Sequence, residues 1–154
     1  GSRYDGDGNL NNWWSERDQE AFSKLTQQLI DQYAAYEPLD GKNVNGKLTL
    51  GENIADLSGL TIAHKAFNLA NKDKPKVLVA GWNGDQLFFV GWSRVWQRKY
   101  RDKEMVKRLL TDSHSPSKYR ANGPVTNIGA FYKAFDVKPG DGLFKPEAER
   151  ITIW

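Results

Sequence analysis

Apolar residues recur at helical spacing through most of this chain, and Gly, Pro, Asn and Asp punctuate the runs. Phe22, Leu25, Leu29, Tyr33 and Tyr36 fall three or four apart, which predicts an amphipathic helix over residues 15–36. Ser15 is its natural N-cap, with Asp18 as the third-position acid of a capping-box-like start. Pro38 and Gly41 stop it. A polar, glycine-broken approach over 43–50 leads to a second helix over 52–71. Asn83-Gly84-Asp85 caps a third, whose buried stripe is Phe88, Phe89, Trp92, Val95, Trp96 and Tyr100. A short fourth helix covers 103–110. Pro116 holds Ser115 out of the α region, so 114–120 is expected to be a turn or extended segment. Pro124 suits a first helical position and opens a segment with Phe131 and Phe135 facing inward. The tail Ile151-Thr152-Ile153-Trp154 is short, apolar and β-prone. No repeat or linker intervenes, so residues 1–154 are expected to form a single, mainly α domain with few or no strands.

Composition narrows the function classes. A length of 154 residues with six Trp, seven Phe and six Tyr suffices for one core, and 27% charged residues argue against disorder. No run of about 18 apolar residues occurs, so no membrane segment is expected in this chain, and the N-terminus does not resemble a signal peptide. With no cysteine, disulfides and thiolate ligands are excluded. Any metal site must use Asp, Glu, or the two histidines, His64 and His114. The net charge of +3 is concentrated, with nine Lys/Arg against three Asp/Glu between Arg94 and Arg120. Trp92, Trp96, Tyr100 and Tyr119 interleave with that charge as in a nucleic-acid surface. Their helical spacing reads instead as core beneath a solvated face, so no nucleic-acid partner is expected.

Two short runs carry candidate chemistry. In Gly51-Glu52-Asn53-Ile54-Ala55-Asp56, two carboxylates four apart share a helix face, where their repulsion costs roughly 0.2–0.5 kcal/mol when exposed. A cation would offset that, and a metal ion is one candidate; the alternative is a pair of first-turn acids facing the helix dipole. The stripe continues through Gly59, Leu60, Ala63 and Phe67, as for a helix that packs closely while presenting a carboxylate. The second run is His114-Ser115-Pro116-Ser117-Lys118-Tyr119-Arg120. Arg120 offers a fork suited to a carboxylate or polarised carbonyl, and His114 a donor for charge developing in a transition state. The alternative is a loop histidine bonded to backbone and a surface ion pair. Asp5, Asp7, Asn9 and Glu16 imitate a calcium loop, but Leu10 stands where that loop needs Gly, so a plain turn is expected. His64 has no second histidine at a chelating interval and reads as structural or exposed.

The order of these runs resembles the neprilysin/endothelin-converting-enzyme family of zinc metallopeptidases. The likeness rests on Leu50-Gly51-Glu52-Asn53-Ile54-Ala55-Asp56-Leu57-Ser58-Gly59-Leu60, Asp85-Gln86-Leu87-Phe88-Phe89, Val95-Trp96 and Asp112-Ser113-His114-Ser115-Pro116. Arg120, Asn122-Gly123, Asn127, Phe131, Phe135, Gly140-Asp141 and Ile153-Trp154 extend it over nearly the whole chain. The resemblance implies the carboxy-terminal part of a thermolysin-like metallopeptidase catalytic domain. It further implies Zn2+ as cofactor, a peptide substrate and internal cleavage of oligopeptides before an apolar residue. By the same token, Glu52 is a zinc ligand, and Asp56 orients a ligating histidine. His114 stabilises the oxyanion, Arg120 binds the substrate's carbonyl or C-terminal end, and Val95 and Trp96 wall the apolar pocket.

The chain departs from that family in one respect. It contains no H-E-x-x-H, hence neither histidine ligand nor the general base. A catalytic zinc needs three protein ligands, so the missing N-terminal part of a parent enzyme is an expected partner and the chain alone is expected to be inactive. The lack of cysteine suggests a bacterial parent, in the cell envelope or outside the cell, with the cytoplasm left open. The competing expectation is a non-catalytic peptide- or protein-binding module, using Trp13, Trp14 and Trp96 as an exposed apolar patch.

Overall fold

A computed structural model describes residues 2–153, whose helices are α1 (Glu16–Ala34), α2 (Leu50–Ala70), α3 (Gly84–Val95), α4 (Asp102–Thr111), α5 (Ser117–Val125) and α6 (Gly129–Phe135). A 3₁₀ turn, Glu147–Glu149, precedes the tail. The described residues contain no strand, only isolated bridges such as Val79 with Trp82. The mainly α expectation holds.

Local chemistry starts the helices where the pattern placed them. Ser15 Oγ accepts from the Asp18 amide at the head of α1. At α3, Asn83 and Gln86 form a full capping box, each side chain accepting from the other's backbone. The apolar faces then meet. Leu29 and Tyr33 of α1, Leu57 and Leu60 of α2, Phe89 of α3 and Tyr119 and Val125 of α5 are buried in one cluster. Phe131 and Phe135 of α6 pack against it, both ringing Phe89.

Four expectations change. Pro124 does not open a helix. It sits in the last turn of α5, which begins directly after Pro116. The two prolines therefore bracket one helix, Pro116 as its non-helical start and Pro124 in its last turn, where the missing N–H leaves the Arg120 carbonyl without its intrahelical donor. Arg120 is accordingly on a helix, while only 112–116 is turn-like or extended. The third helix stops at Val95: Trp96 caps it, Tyr100 lies beyond, and Val95 is 63% exposed. The tail forms no strand in its described part. Ile151 and Ile153 are buried as extended chain, anchored where the Ile151 amide donates to Asn127 Oδ1 at 3.0 Å. Trp154 lies outside the described residues.

α2 is apolar around most of its circumference. One side buries Asn53, Asp56, Leu57 and Leu60. The other exposes Gly51, Ala55, Gly59, Ile62, Ala63 and Leu69, with nothing near the Cβ positions of Gly51 and Gly59. A helix apolar on both sides belongs in an interior. No helix of the described residues is long and apolar enough to cross a membrane.

Gly123 marks a close contact between α5 and α1. A Cβ there would stand 2.5 Å from Tyr33 Oη and 2.8 Å from Cζ, and Tyr33 is fully buried. Gly123→Ala is therefore expected to destabilise the chain by about 1–3 kcal/mol. Gly59→Ala, with open space at its Cβ, is expected to stabilise it by roughly 0.5–1 kcal/mol through helix propensity. Urea denaturation of the two variants against the parent sequence measures both signs.

Candidate functional site

The carboxylates of α2 and the fork of α5 meet between the two helices. Arg120 Nε donates to Asp56 Oδ2 at 2.6 Å and Nη2 to Oδ1 at 2.7 Å, a two-pronged grip on a side chain only 7% exposed. The guanidinium carbon lies 4.2 Å from the Trp96 ring centroid, so the indole covers the pair's other side. Trp96 is half-buried against Trp92 and is no part of an exposed patch, and its Nε1–H has no acceptor among the described residues. Trp92 in turn donates to the Ala121 carbonyl at 3.1 Å, tying α3 to α5.

Asn53, fully buried one turn away, makes the second bridge across the cleft. Its Oδ1 accepts from Ser115 Oγ at 2.8 Å, and its Nδ2 donates to Thr49 Oγ1 at 2.9 Å. The extended 112–116 segment is thereby held against the N-terminal turn of α2. That contact delivers His114 to Glu52.

Glu52 is placed differently from Asp56. Its side chain is 40% exposed, and its contacts are long: Oε2 lies 3.5 Å from Arg120 Nη2 and 3.3 Å from His114 Nε2. Oε1 has no partner among the described residues. The tight pair consumes Asp56 and leaves Glu52 with a free oxygen at the cleft edge. Among the described residues no group of three His, Asp or Glu is placed to hold a metal ion. The donors present therefore fall short of the three protein ligands that a catalytic zinc site needs.

His114 is gripped from behind. Asp112 Oδ1 accepts from the His114 amide at 2.9 Å and lies 2.7 Å from its Nδ1, while Oδ2 pairs with Arg108 Nη1 at 2.7 Å. The ring thus turns Nε2 toward Glu52. Asp112 carries no role in the sequence analysis; its signal is the Asp-x-His spacing, which lets a carboxylate reach the imidazole two residues on.

The two buried-side aspartates titrate in opposite senses. Burial, with the Glu52 charge adding to it, pushes the Asp56 carboxyl above its ordinary range although the Arg120 fork opposes the shift. Hydrogen bonding to Asp56 raises the Arg120 guanidinium further. At Asp112, burial also works upward, but the His114 amide and ring and the Arg108 charge outweigh it and hold the carboxyl low.

The other singled-out residues fall elsewhere. His64 is a core-edge side chain, with Nε2 2.7 Å from Asp85 Oδ1 and the ring stacked on Phe89. Asp5 spends its oxygens on the Asp7 and Asn9 amides and on Asn9 and Asn11 side chains, the bonding of a plain turn. Val95, assigned with Trp96 to a pocket wall, points to no core residue and is open.

Comparison with known proteins places the chain in a family. A profile of peptidase family M13 matches residues 1–151. Human endothelin-converting enzyme 1 is 37% identical over the whole chain, which spans 20% of that protein. The neutral endopeptidase of Lactococcus lactis is 39% identical, again over the whole chain and 23% of the relative. Among solved structures, the zinc metalloprotease Zmp1 of Mycobacterium tuberculosis, in complex with an inhibitor, superposes with a TM-score of 0.94 at 45% identity. It matches all of this chain, which covers 24% of that one. The chain thus spans between a fifth and a quarter of the relatives it matches.

The Asp112 grip has a pH signature. A carboxyl held low in the folded state contributes stability that is fully present above the ordinary aspartate value of about 3.9 and is lost as pH falls through its depressed value. Asp112→Asn removes that component, so its unfolding free energy is expected to fall less steeply than the parent's below about pH 4. Denaturant midpoints between pH 2 and 7, compared for the two chains, would reveal equal slopes if the grip is absent.

Proposed function

The chain belongs to peptidase family M13, and from that premise we propose that it supplies one metal ligand and the substrate-side electrostatics of a zinc endopeptidase. The remaining ligands and the general base lie on polypeptide outside this sequence. The observation that carries the proposal is the division between the two carboxylates of α2: Asp56 is locked by Arg120, whereas Glu52 keeps Oε1 free at an open edge. An acid serving only the fold would be expected to share the lock.

Glu52 would hold the ion. When bound, zinc polarises the scissile carbonyl and lowers the pKa of its water. Asp56 keeps a lone pair on each oxygen beyond those used by Arg120, enough to accept an N–H from a ligating histidine arriving over α2. The exposed Gly51, Ala55, Gly59 and Ala63 recur every four residues beside Glu52, leaving room for such a helix to approach closely. Arg120, steadied by Asp56 and Trp96, has Nη1 unengaged among the described residues and would donate it to a substrate carbonyl or C-terminal carboxylate. His114 donates from Nε2 to the developing oxyanion when the ring carries both protons, Asp112 holding the Nδ1–H. Trp96 stacks on Arg120, and it and the exposed Val95 next to it in the chain would face the apolar residue after the cut.

The 154-residue chain alone, with one of three protein ligands, neither retains catalytic zinc nor cleaves peptides under this proposal. Zinc-independent affinity for peptides in the isolated chain would instead mark a binding module.

In the intact parent, Glu52→Gln is expected to abolish stoichiometric zinc, read by metal analysis of the purified enzyme. Normal zinc content in that variant would remove the ligand role. Arg120→Lys keeps a charge beside Asp56 while losing the fork; it is expected to retain zinc and raise KM by about tenfold or more, the worth of roughly one charge-assisted hydrogen bond. An unchanged KM would remove Arg120 from the substrate.

A further inference from the structure

We propose that Arg108, on α4, is a positioning residue for His114, acting through Asp112. The proposal rests on the peptidase function above and adds a residue that the resemblance does not supply.

α4 buries no residue completely, although Leu109 packs against the core. It carries Glu104 and Arg108, with Asp112 at its C-cap, three residues spaced four apart along one face. Arg108 bridges the other two. Its Nε donates to Glu104 Oε1 at 2.9 Å and its Nη1 to Asp112 Oδ2 at 2.7 Å. The guanidinium also lies 5.0 Å from the Tyr100 ring, and the Tyr100 hydroxyl is 2.8 Å from Ser117 Oγ at the head of α5. One planar cation is therefore fixed on three sides by groups from two elements.

The effect falls on Asp112. Its Oδ2 is taken by Arg108 and its Oδ1 by the amide and ring of His114, so the carboxylate cannot turn about its own bond without losing one partner. The imidazole plane follows, with Nδ1 toward Asp112 and Nε2 toward Glu52. A stabilising role alone accounts poorly for the arrangement. Arg108 is 37% exposed and Glu104 46%, and pairs so exposed on a helix contribute little to stability. What the ladder does supply is direction, carried from a solvated helix to the one imidazole at the cleft.

Two readings test it. The first uses the 154-residue chain and needs no activity: imidazole nitrogen shifts of His114 at about pH 8.5, where an ordinary imidazole is neutral. The parent sequence is expected to show Nδ1–H as the dominant tautomer. Arg108→Gln is expected to shift the balance toward Nε2–H, as Asp112→Ala does fully, while Lys107→Gln on the same helix leaves it alone. The second reading uses the intact enzyme: Arg108→Gln is expected to lower kcat by about tenfold, the low end for losing an outer partner, with KM and zinc content unchanged. Arg108→Lys, which retains charge and stem, should recover part of both and decides the matter if the Gln variant fails to fold. An unaltered tautomer balance with unaltered kcat overturns the proposal. If the intact parent cleaves no peptide at all, the peptidase function fails, and the tautomer reading still judges Arg108 on its own.

Discussion

The fork of Arg120 on Asp56 is the contact on which the rest of this structure depends. Removing one partner of a buried ion pair costs roughly 3–5 kcal/mol, because the other charge is stranded. The pair spans α2 and α5, and with both partners largely shielded it behaves as that kind of contact. It also sets a geometry: α5 cannot slide along α2 without opening a two-pronged bond. Trp96 closes the remaining face, and Asn53 to Ser115 repeats the tie one turn away. Together they hold the segment bearing His114 beside the first turn of α2.

From that constraint follows a separation of labour between two like charges four residues apart. Asp56 is withdrawn into the fold, compensated and shifted upward by burial. Glu52 remains at the edge with long contacts and an unused oxygen. Repulsion between them is offset by one guanidinium that serves both unequally. The same economy appears behind His114, where a single carboxylate faces an imidazole on one side and Arg108 on the other.

The exposed side of α2 belongs to the same picture. Gly51, Ala55, Gly59 and Ala63 cover no neighbour here, yet a helix with apolar residues on both sides is an interior helix by composition. The relatives matched in peptidase family M13 are four to five times longer than this chain, and under the proposed function this face is where their further polypeptide would pack.

Local signals made much of this legible in the chain. The caps at Ser15 and Asn83, the apolar stripe of α1 and the pairing of Glu52 with Asp56 on one face depend on residues within a turn or two of each other, and periodicity reads those directly. Pro124 has the same local sequence whether it opens a helix or sits in the last turn of one; only the start of α5 after Pro116 distinguishes the two. Helical spacing put Trp96 in a buried stripe, but nothing nearby in sequence shows that Arg120, some two dozen residues on, stacks upon it. The sequence by itself determined which side chains could carry charge, donate or pack, and the helices that present them. Tertiary structure alone decided that Asp56 rather than Glu52 takes the fork and that Asp112 holds the imidazole, since both choices turn on distances between segments that helical periodicity does not encode.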